Sequence, residues 1–314
     1  MVVKIFSVGK GLSSSPFVFE EGQAILLKHG IEISNEEESN LIVAASFERI
    51  LPLMLKHGKK KKYLIWTNEP RYNTFLRSEI KFPALPAINI INIYTGLFED
   101  NYSWLHTFDN YLISELSCLH PDEVIYHQKI AAMMTYRNNK LRWSLNCQGK
   151  ELDLCYLRTQ IALAGYEAGL VDIFGKGWPK TMRTGESRDG EWRAIKFSTL
   201  RNYNFNIALE NTNWPYYCTE KIWDSIASYC LPIYYGRGNK IYEDFPKGSF
   251  IDYSDFEQPK DLFKYIRSMS VKEFTDRLNL CIETFNHAIK RAKSTTSDIF
   301  NTFKTAELIS GIFK

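Results

Sequence analysis

Residues 205–225 read FNIALENTNWPYYCTEKIWDS, a strand, a turn and a helix in succession with polar groups crowded at the turn. The run 205–209 is apolar and short enough for a buried strand, 211–215 carries turn chemistry, and Thr219 stands where it can cap a helix that turns Ile222, Trp223 and Ile226 inward. Such a turn aims backbone amides and Lys221 at one point, which favours an anion. Asn211, Tyr217 and Glu220 add hydrogen-bonding groups suited to a sugar or ribose, so the chemistry fits a nucleoside-diphosphate sugar.

Outward from that stretch, strand and helix candidates alternate. Strands at 2–8, 40–45 and 62–67 interleave with helices near 21–29 and 47–57. A helix expected at 106–119 leads into a connection at 119–128. A second alternation follows: strand 129–136, helix 156–168, strands 171–174 and 205–209, the helix after Thr219, and strand 231–235. The pattern predicts an α/β protein of two Rossmann-like, doubly wound domains, residues 1–128 and 129–314. Helices over 271–314 pack back on the body. Residues 175–193, glycine-rich, basic and aperiodic, read as an exposed loop and a candidate lid.

Bulk properties bound the function. The chain has 314 residues, 45% of them hydrophobic, enough for two cores, and its net charge of +3 is too mild for a nucleic-acid partner. The basic run at 56–62 reads as a solvated turn, with membrane contact peripheral at most. Six cysteines without metal spacing suggest free thiols in a reducing compartment, and an N-terminal strand with no leader or spanning segment points to the cytoplasm.

Arg158, at the head of the 156–168 helix, is the second cation placed to meet a diphosphate; taken singly it reads equally as a surface arginine. Glu69, after the 62–67 strand, stands at the edge where open α/β sheets bind ligands and can serve as a general base, although 68–70 also reads as a plain turn. Gly175, Lys176 and Gly177 form a GKG after a strand, and Gly236 and Gly238 bracket Arg237 likewise; both suit close approach to a ligand, and both are common in turns. No two aspartates are separated by a single residue, so no Asp-x-Asp metal motif is present and no divalent cofactor is expected.

The string ENTNWPYYCTEKIWDSIASYCLPIYYGRGNKIYEDFPKGSFIDYSDF, residues 210–256, resembles the donor-binding signature of the α1,3/α1,4-fucosyltransferases, glycosyltransferase family 10, of the soluble bacterial type. The resemblance extends through VDIFGKG and the Arg158 helix, and more loosely to WTNEPRYN, over about 63–266. It implies a GT-B fold, two Rossmann-like domains facing across a cleft, with acceptor binding in the first and GDP-fucose binding in the second. It also implies GDP-β-L-fucose as donor and inversion to an α-fucoside, α1,3 on GlcNAc or Glc of a lactosamine-type or related glycan acceptor. By position, Asn211, Tyr217, Glu220 and Lys221 would contact the donor, Glu220 on ribose and Lys221 on phosphate; Arg158 would match the diphosphate arginine and Glu69 the base. Leu209 and Cys218 replace the family's usual Phe and Val. A transferase for another GDP-sugar or linkage, and a non-catalytic nucleotide-sugar-binding protein, remain open.

Overall fold

The computed structural model describes residues 2–9, 12, 15–72, 79–95, 98, 100–102, 114–185, 192–294 and 297–313. Two compact units emerge: one formed by residues 1–100 with 295–314, the other by 101–294.

The first unit holds β1 (Val3–Val8), β2 (Ile31–Ile33), β3 (Leu41–Ala44), β4 (Lys62–Thr67), β5 (Glu79–Ile80) and β6 (Ile88–Asn92). Their order is β2-β1-β3-β4-β6-β5, parallel except for the antiparallel edge strand β5. All four residues of β3, LIVA, are buried, as a strand covered on both faces requires. Helix α1 (Glu20–Lys28) follows β1, and α2 (Phe47–His57) packs Ile50 and Met54 against Ile42, Ala44 and Ile65. The basic run is more structured than a solvated turn. Lys61 is buried, its ammonium donating to the carbonyls of Glu36, Glu37 and Ser39, and Lys56 pairs with Glu36 and Glu37 at 2.7 and 3.1 Å.

In the second unit β7 (Ile130–Met133), β10 (Val171–Phe174), β11 (Arg183–Gly185), β12 (Phe205–Ile207), β13 (Leu231–Tyr234) and β14 (Ile251–Asp252) form a wholly parallel sheet. Its order, β11-β10-β7-β12-β13-β14, runs outward in both directions from β7, so the crossovers reverse between β7 and β12. Between β7 and α4 (Cys155–Glu167) lie the single-turn α3 (Lys140–Trp143) and a hairpin of β8 (Asn146–Cys147) with β9 (Lys150–Glu151). Helices α5 (Trp192–Leu200), α6 (Glu220–Ala227), α7 (Pro259–Ser268) and α8 (Val271–Ser294) complete the unit. Helix α6 buries Ile222, Trp223 and Ile226 completely, roughly 2 kcal/mol of apolar transfer for each. Gly165 is obligatory in α4: a β-carbon there would lie 2.2 Å from Val171 Cγ2.

The units divide at residue 100, not at 128, and the reason lies in α8. Its Asn279 and Asn286, two turns apart, each exchange a pair of hydrogen bonds with one backbone residue: Asn279 with Leu119 (2.8 and 2.9 Å), Asn286 with Leu116 (2.8 and 2.8 Å). Tyr126 adds a bond from its hydroxyl to Met269 O, so 114–128 belongs to the second unit. Residues 114–119 consequently carry no helix, where the sequence predicts one; the rest of that prediction, 106–113, lies outside the described residues. The C-terminal helices do pack back, but on different units. Helix α8 stays in the second, while α9 (Ser297–Ile312) belongs to the first, where it packs on α1 with Phe303 against His29.

Replacing Asn279 or Asn286 by alanine strands one partly buried N–H and one C=O. Each substitution is expected to lower unfolding free energy by about 1–2 kcal/mol in urea titrations and to accelerate amide exchange over 114–119. Unchanged exchange there would contradict the strap.

Candidate functional site

Where strand order reverses, the loops leaving two neighbouring strands diverge and open a crevice at the sheet's carboxyl edge. In the second unit that edge is formed by the exits of β7 and β12. Residues 211–213 leaving β12 pair with the chain entering α4: Leu154 N donates to Asn211 O at 3.1 Å and Asn213 N to Leu152 O at 2.7 Å. Asp153, buried beside this bridge, accepts from Tyr156 N at 2.8 Å and so caps α4. The start of α4 and the turn after β12 are thereby held together.

The centre of the turn is Glu210, which is only 2% exposed. Its Oε1 accepts from Thr219 N (2.7 Å) and Thr219 Oγ1 (2.9 Å), and its Oε2 accepts from Lys221 Nζ at 2.8 Å. Lys221 Nζ also donates to Thr219 Oγ1 at 2.7 Å and lies 3.7 Å from Glu220. Thr219 therefore begins α6 without capping it, its hydroxyl serving the buried carboxylate instead. Burial pushes the Glu210 carboxyl upward against the pull of Lys221 and Thr219. Burial also works against the Lys221 ammonium, but Glu210 and Glu220 hold it above the ordinary lysine range. Glu220, for which burial again opposes charge, is drawn down to about 2 by Lys221 and Lys196. Lys196 on α5 pairs with Asp224 of α6 at 2.5 Å, a second buried ion pair behind the first.

Arg158 is no surface residue. It is buried in α4, with Nη1 donating to Leu209 O at 3.1 Å and Nε without a hydrogen-bond partner, and its charge is felt at Lys221. Asn211 Nδ2 donates to Tyr217 Oη at 3.5 Å. Tyr216 adopts the left-handed conformation, φ 57°, which costs a residue with a β-carbon about 1 kcal/mol; the reversal sends Tyr217 into the core and Tyr216 outward to donate to Glu243 at 2.9 Å. Arg137, just past β7, reaches Cys155 Sγ (2.6 Å) and lies over the Trp143 ring at 4.3 Å. The structure thus gathers Arg158, Asn211, Tyr217, Glu220 and Lys221 at one edge.

Other sequence expectations meet different outcomes. Residues 175–185 are not a free lid: they form a turn and the edge strand β11, pinned by the buried Trp178, whose N–H donates to Met134 O at 2.8 Å and whose ring meets Tyr136 at 4.8 Å. Residues 186–191 of that expectation lie outside the described residues. Gly175, Lys176 and Gly177 sit at the exit of β10, two strands from β12, where Tyr136 N donates to Lys176 O and Gly177 holds φ 83°. Gly236 is required by the protein itself, since a β-carbon would lie 2.6 Å from Asp252 Oδ2, the oxygen that Tyr242 also bonds. Glu69 stands half-buried in the first unit at the carboxyl end of β4, its N–H donating to Thr67 Oγ1 at 3.0 Å. Among the described residues, acid and histidine ligand atoms gather at Glu36, Glu37 and His57, in the first unit, where Lys56 already supplies the positive charge.

The Glu220 carboxyl has a lowered folded-state value, so its stabilising contribution is complete above about 4.5 and is lost as pH falls toward 2. Glu210, raised by burial, acts in the opposite sense. Between pH 5 and 3, wild-type protein should lose more stability in urea titrations than Glu220→Gln; equal losses would contradict the assignment.

Residues 143–276 match the family model "Glycosyltransferase family 10 (fucosyltransferase) C-term". Human 3-galactosyl-N-acetylglucosaminide 4-alpha-L-fucosyltransferase FUT3 is 38% identical over 79 residues, 24% of this chain and 22% of that protein. Human 4-galactosyl-N-acetylglucosaminide 3-alpha-L-fucosyltransferase FUT5 is also 38% identical over 79 residues, 24% of this chain and 21% of that protein. The chain thus spans between a fifth and a quarter of the length of these curated relatives. A crystal structure of an alpha1,3-fucosyltransferase is similar over 95% of this chain and 91% of its own, with TM-score 0.52 and 16% identity, and shares the two-domain α/β GT-B fold. The segment that carries Arg158, Glu210 and Lys221 lies wholly within the residues that match the glycosyltransferase family 10 model.

Proposed function

We propose that the protein is an inverting fucosyltransferase that moves L-fucose from GDP-β-L-fucose to a hydroxyl of a glycan acceptor, forming an α1,3 linkage to GlcNAc or Glc of a lactosamine-type or related oligosaccharide. The observation that carries this reading is the placing of Arg158 and Lys221, two largely buried cations, at the exit of β12 inside the family 10 segment. A nucleoside diphosphate would take charge-assisted hydrogen bonds from these two cations beside the carboxylates of Glu210 and Glu220.

In this reading Arg158 and Lys221 hold the diphosphate, Glu220 accepts from ribose hydroxyls, and Asn211 with Tyr217 lines the sugar side. The acceptor oxygen attacks fucose C1 as Glu69 takes its proton; the bond from C1 to the phosphate oxygen breaks, and its electron pair leaves on GDP. Charge on the leaving group is met by fixed cations, so the departing oxygen needs no proton and no divalent metal is required. The curated relatives carry both 3- and 4-linked activity in their names, each matching over 79 residues at 38% identity, so the linkage made here is for the acceptor test to determine. The six free cysteines, four of them buried, support action in a reducing compartment such as the cytoplasm. Among the described residues no helix is long and apolar enough to cross a membrane.

The test is transfer from GDP-fucose across a panel of lactosamine-type acceptors, with linkage read by NMR. An α-fucoside is expected. Binding without transfer to any acceptor would favour a nucleotide-sugar-binding protein, and preference for another GDP-sugar would overturn the donor. Lys221→Ala should lower kcat/KM by about 10²-fold or more, as loss of one preorganised charge contact does, and Glu69→Gln should lower kcat while leaving donor affinity nearly unchanged. Activity should persist after exhaustive chelation; strict dependence on Mn²⁺ would contradict the role given to the two cations.

A further inference from the structure

Glu210 takes no part in the transfer just described, yet it occupies the middle of the site. A carboxylate only 2% exposed is costly to bury and needs a matching set of donors. Those donors are the Thr219 N–H, the Thr219 hydroxyl and the Lys221 ammonium. The ammonium has three N–H groups. One points to Glu210 Oε2 at 2.8 Å and a second to Thr219 Oγ1 at 2.7 Å, while Glu220 at 3.7 Å lies beyond hydrogen-bond reach. Two fixed bonds to one rigid pair determine where the third N–H points, on a side chain that would otherwise rotate about four bonds.

We propose that Glu210 is a positioning residue for transfer: bridged by Thr219, its buried carboxylate fixes the Lys221 ammonium so that the remaining N–H is presented to the donor's diphosphate. The inference rests on the fucosyl-transfer reading for the identity of that ligand, and on the bond geometry alone for the pairing. A lysine held this way meets the diphosphate already oriented, so its rotamer freedom is not lost again on binding. It also follows that Lys221 keeps its proton through the alkaline range. The charges facing it are Glu210 from the β12 turn, Glu220 from its own helix and Arg158 from α4. Glu210 is faced in turn by the thiol of Cys218 and the phenol of Tyr234, both of which burial keeps neutral, and Lys196 on α5 faces Glu220. Changing Glu210 to glutamine keeps the shape and an acceptor for Thr219 but removes the nearest negative charge.

Two measurements test this. In kinetics with GDP-fucose, Glu210→Gln should lower kcat/KM at pH 7 by 10- to 100-fold and move the alkaline limb of the profile down by about one pH unit or more. Glu210→Asp, which keeps the charge, should restore the position of the limb even where rate is only partly recovered. A merely structural role would lower stability without moving the limb, and an unmoved limb overturns the proposal. Independently of the Glu210 variants and of the donor, the Lys221 side chain can be followed in wild-type protein by NMR of ¹³Cε-labelled lysine, assigned with Lys221→Arg. Titration above the ordinary lysine value of about 10.4 is expected, with the resonance shifting when GDP is added. Titration at or below that value overturns the pairing. If Lys221 titrates as expected but no fucose is transferred, the functional reading fails and the pairing stands.

Discussion

The carboxylate of Glu210, buried between a strand and a helix, is the constraint on which the site depends. A charge at the end of an apolar strand is tolerated only if every lone pair is met, and the chain meets it by curling residues 211–219 back until the first residues of α6 supply the donors. The left-handed Tyr216 and the core placement of Tyr217 and Cys218 are the geometric means of that return. Because α6 is anchored by Ile222, Trp223 and Ile226, whose burial leaves it no alternative rotation, the position of Lys221 is settled by packing and by the carboxylate together.

The sheet supplies the other half of the arrangement. Parallel strands must be joined by crossovers, and here the crossovers to either side of β7 leave one place where loops from adjacent strands part. The α4 helix enters that place with Arg158 on its inner face, kept there by the bridge of 152–154 to 211–213 and by a bond to Leu209 O. The ion pair of Lys196 and Asp224 ties α5 to α6 behind it. Charges therefore alternate through the site, and the cations are held by groups other than the ligand they await. Such preorganisation is what the proposed transfer would use to stabilise a departing diphosphate.

Much of this was legible in the amino-acid order, because parallel strands and their helices announce themselves by period. The strand 171–174 and the helix 47–57 coincide with β10 and α2, and most other elements differ by a residue or two. The cluster around Lys221 was legible because its members lie within a dozen residues of each other. What escaped depends on partners distant in sequence. Lys196 meets Asp224 across 28 positions, and the segment 114–119 is bonded to asparagines some 160–170 positions away, on a helix whose spacing shows only its apolar face. The edge strand β11 hid in a glycine-rich, basic stretch, since its order comes from Trp178 rather than from β-propensity. Glu210 was visible as an acid in a family pattern, but nothing in its neighbours says it is buried. Gly236, read as suiting close approach to a ligand or as a plain turn, also fits tightly around Asp252, which its sequence neighbours do not show.

The central claim is that a nucleoside-diphosphate sugar is bound by the turn between β12 and α6 together with the start of α4. Hydrogen–deuterium exchange with and without GDP-fucose tests it most directly, since backbone protection reports the place of binding without any substitution. The account predicts slowed exchange in peptides covering 209–223 and 154–160, with little change in the strands behind them. Protection confined to other segments, or none at saturating ligand, would contradict it.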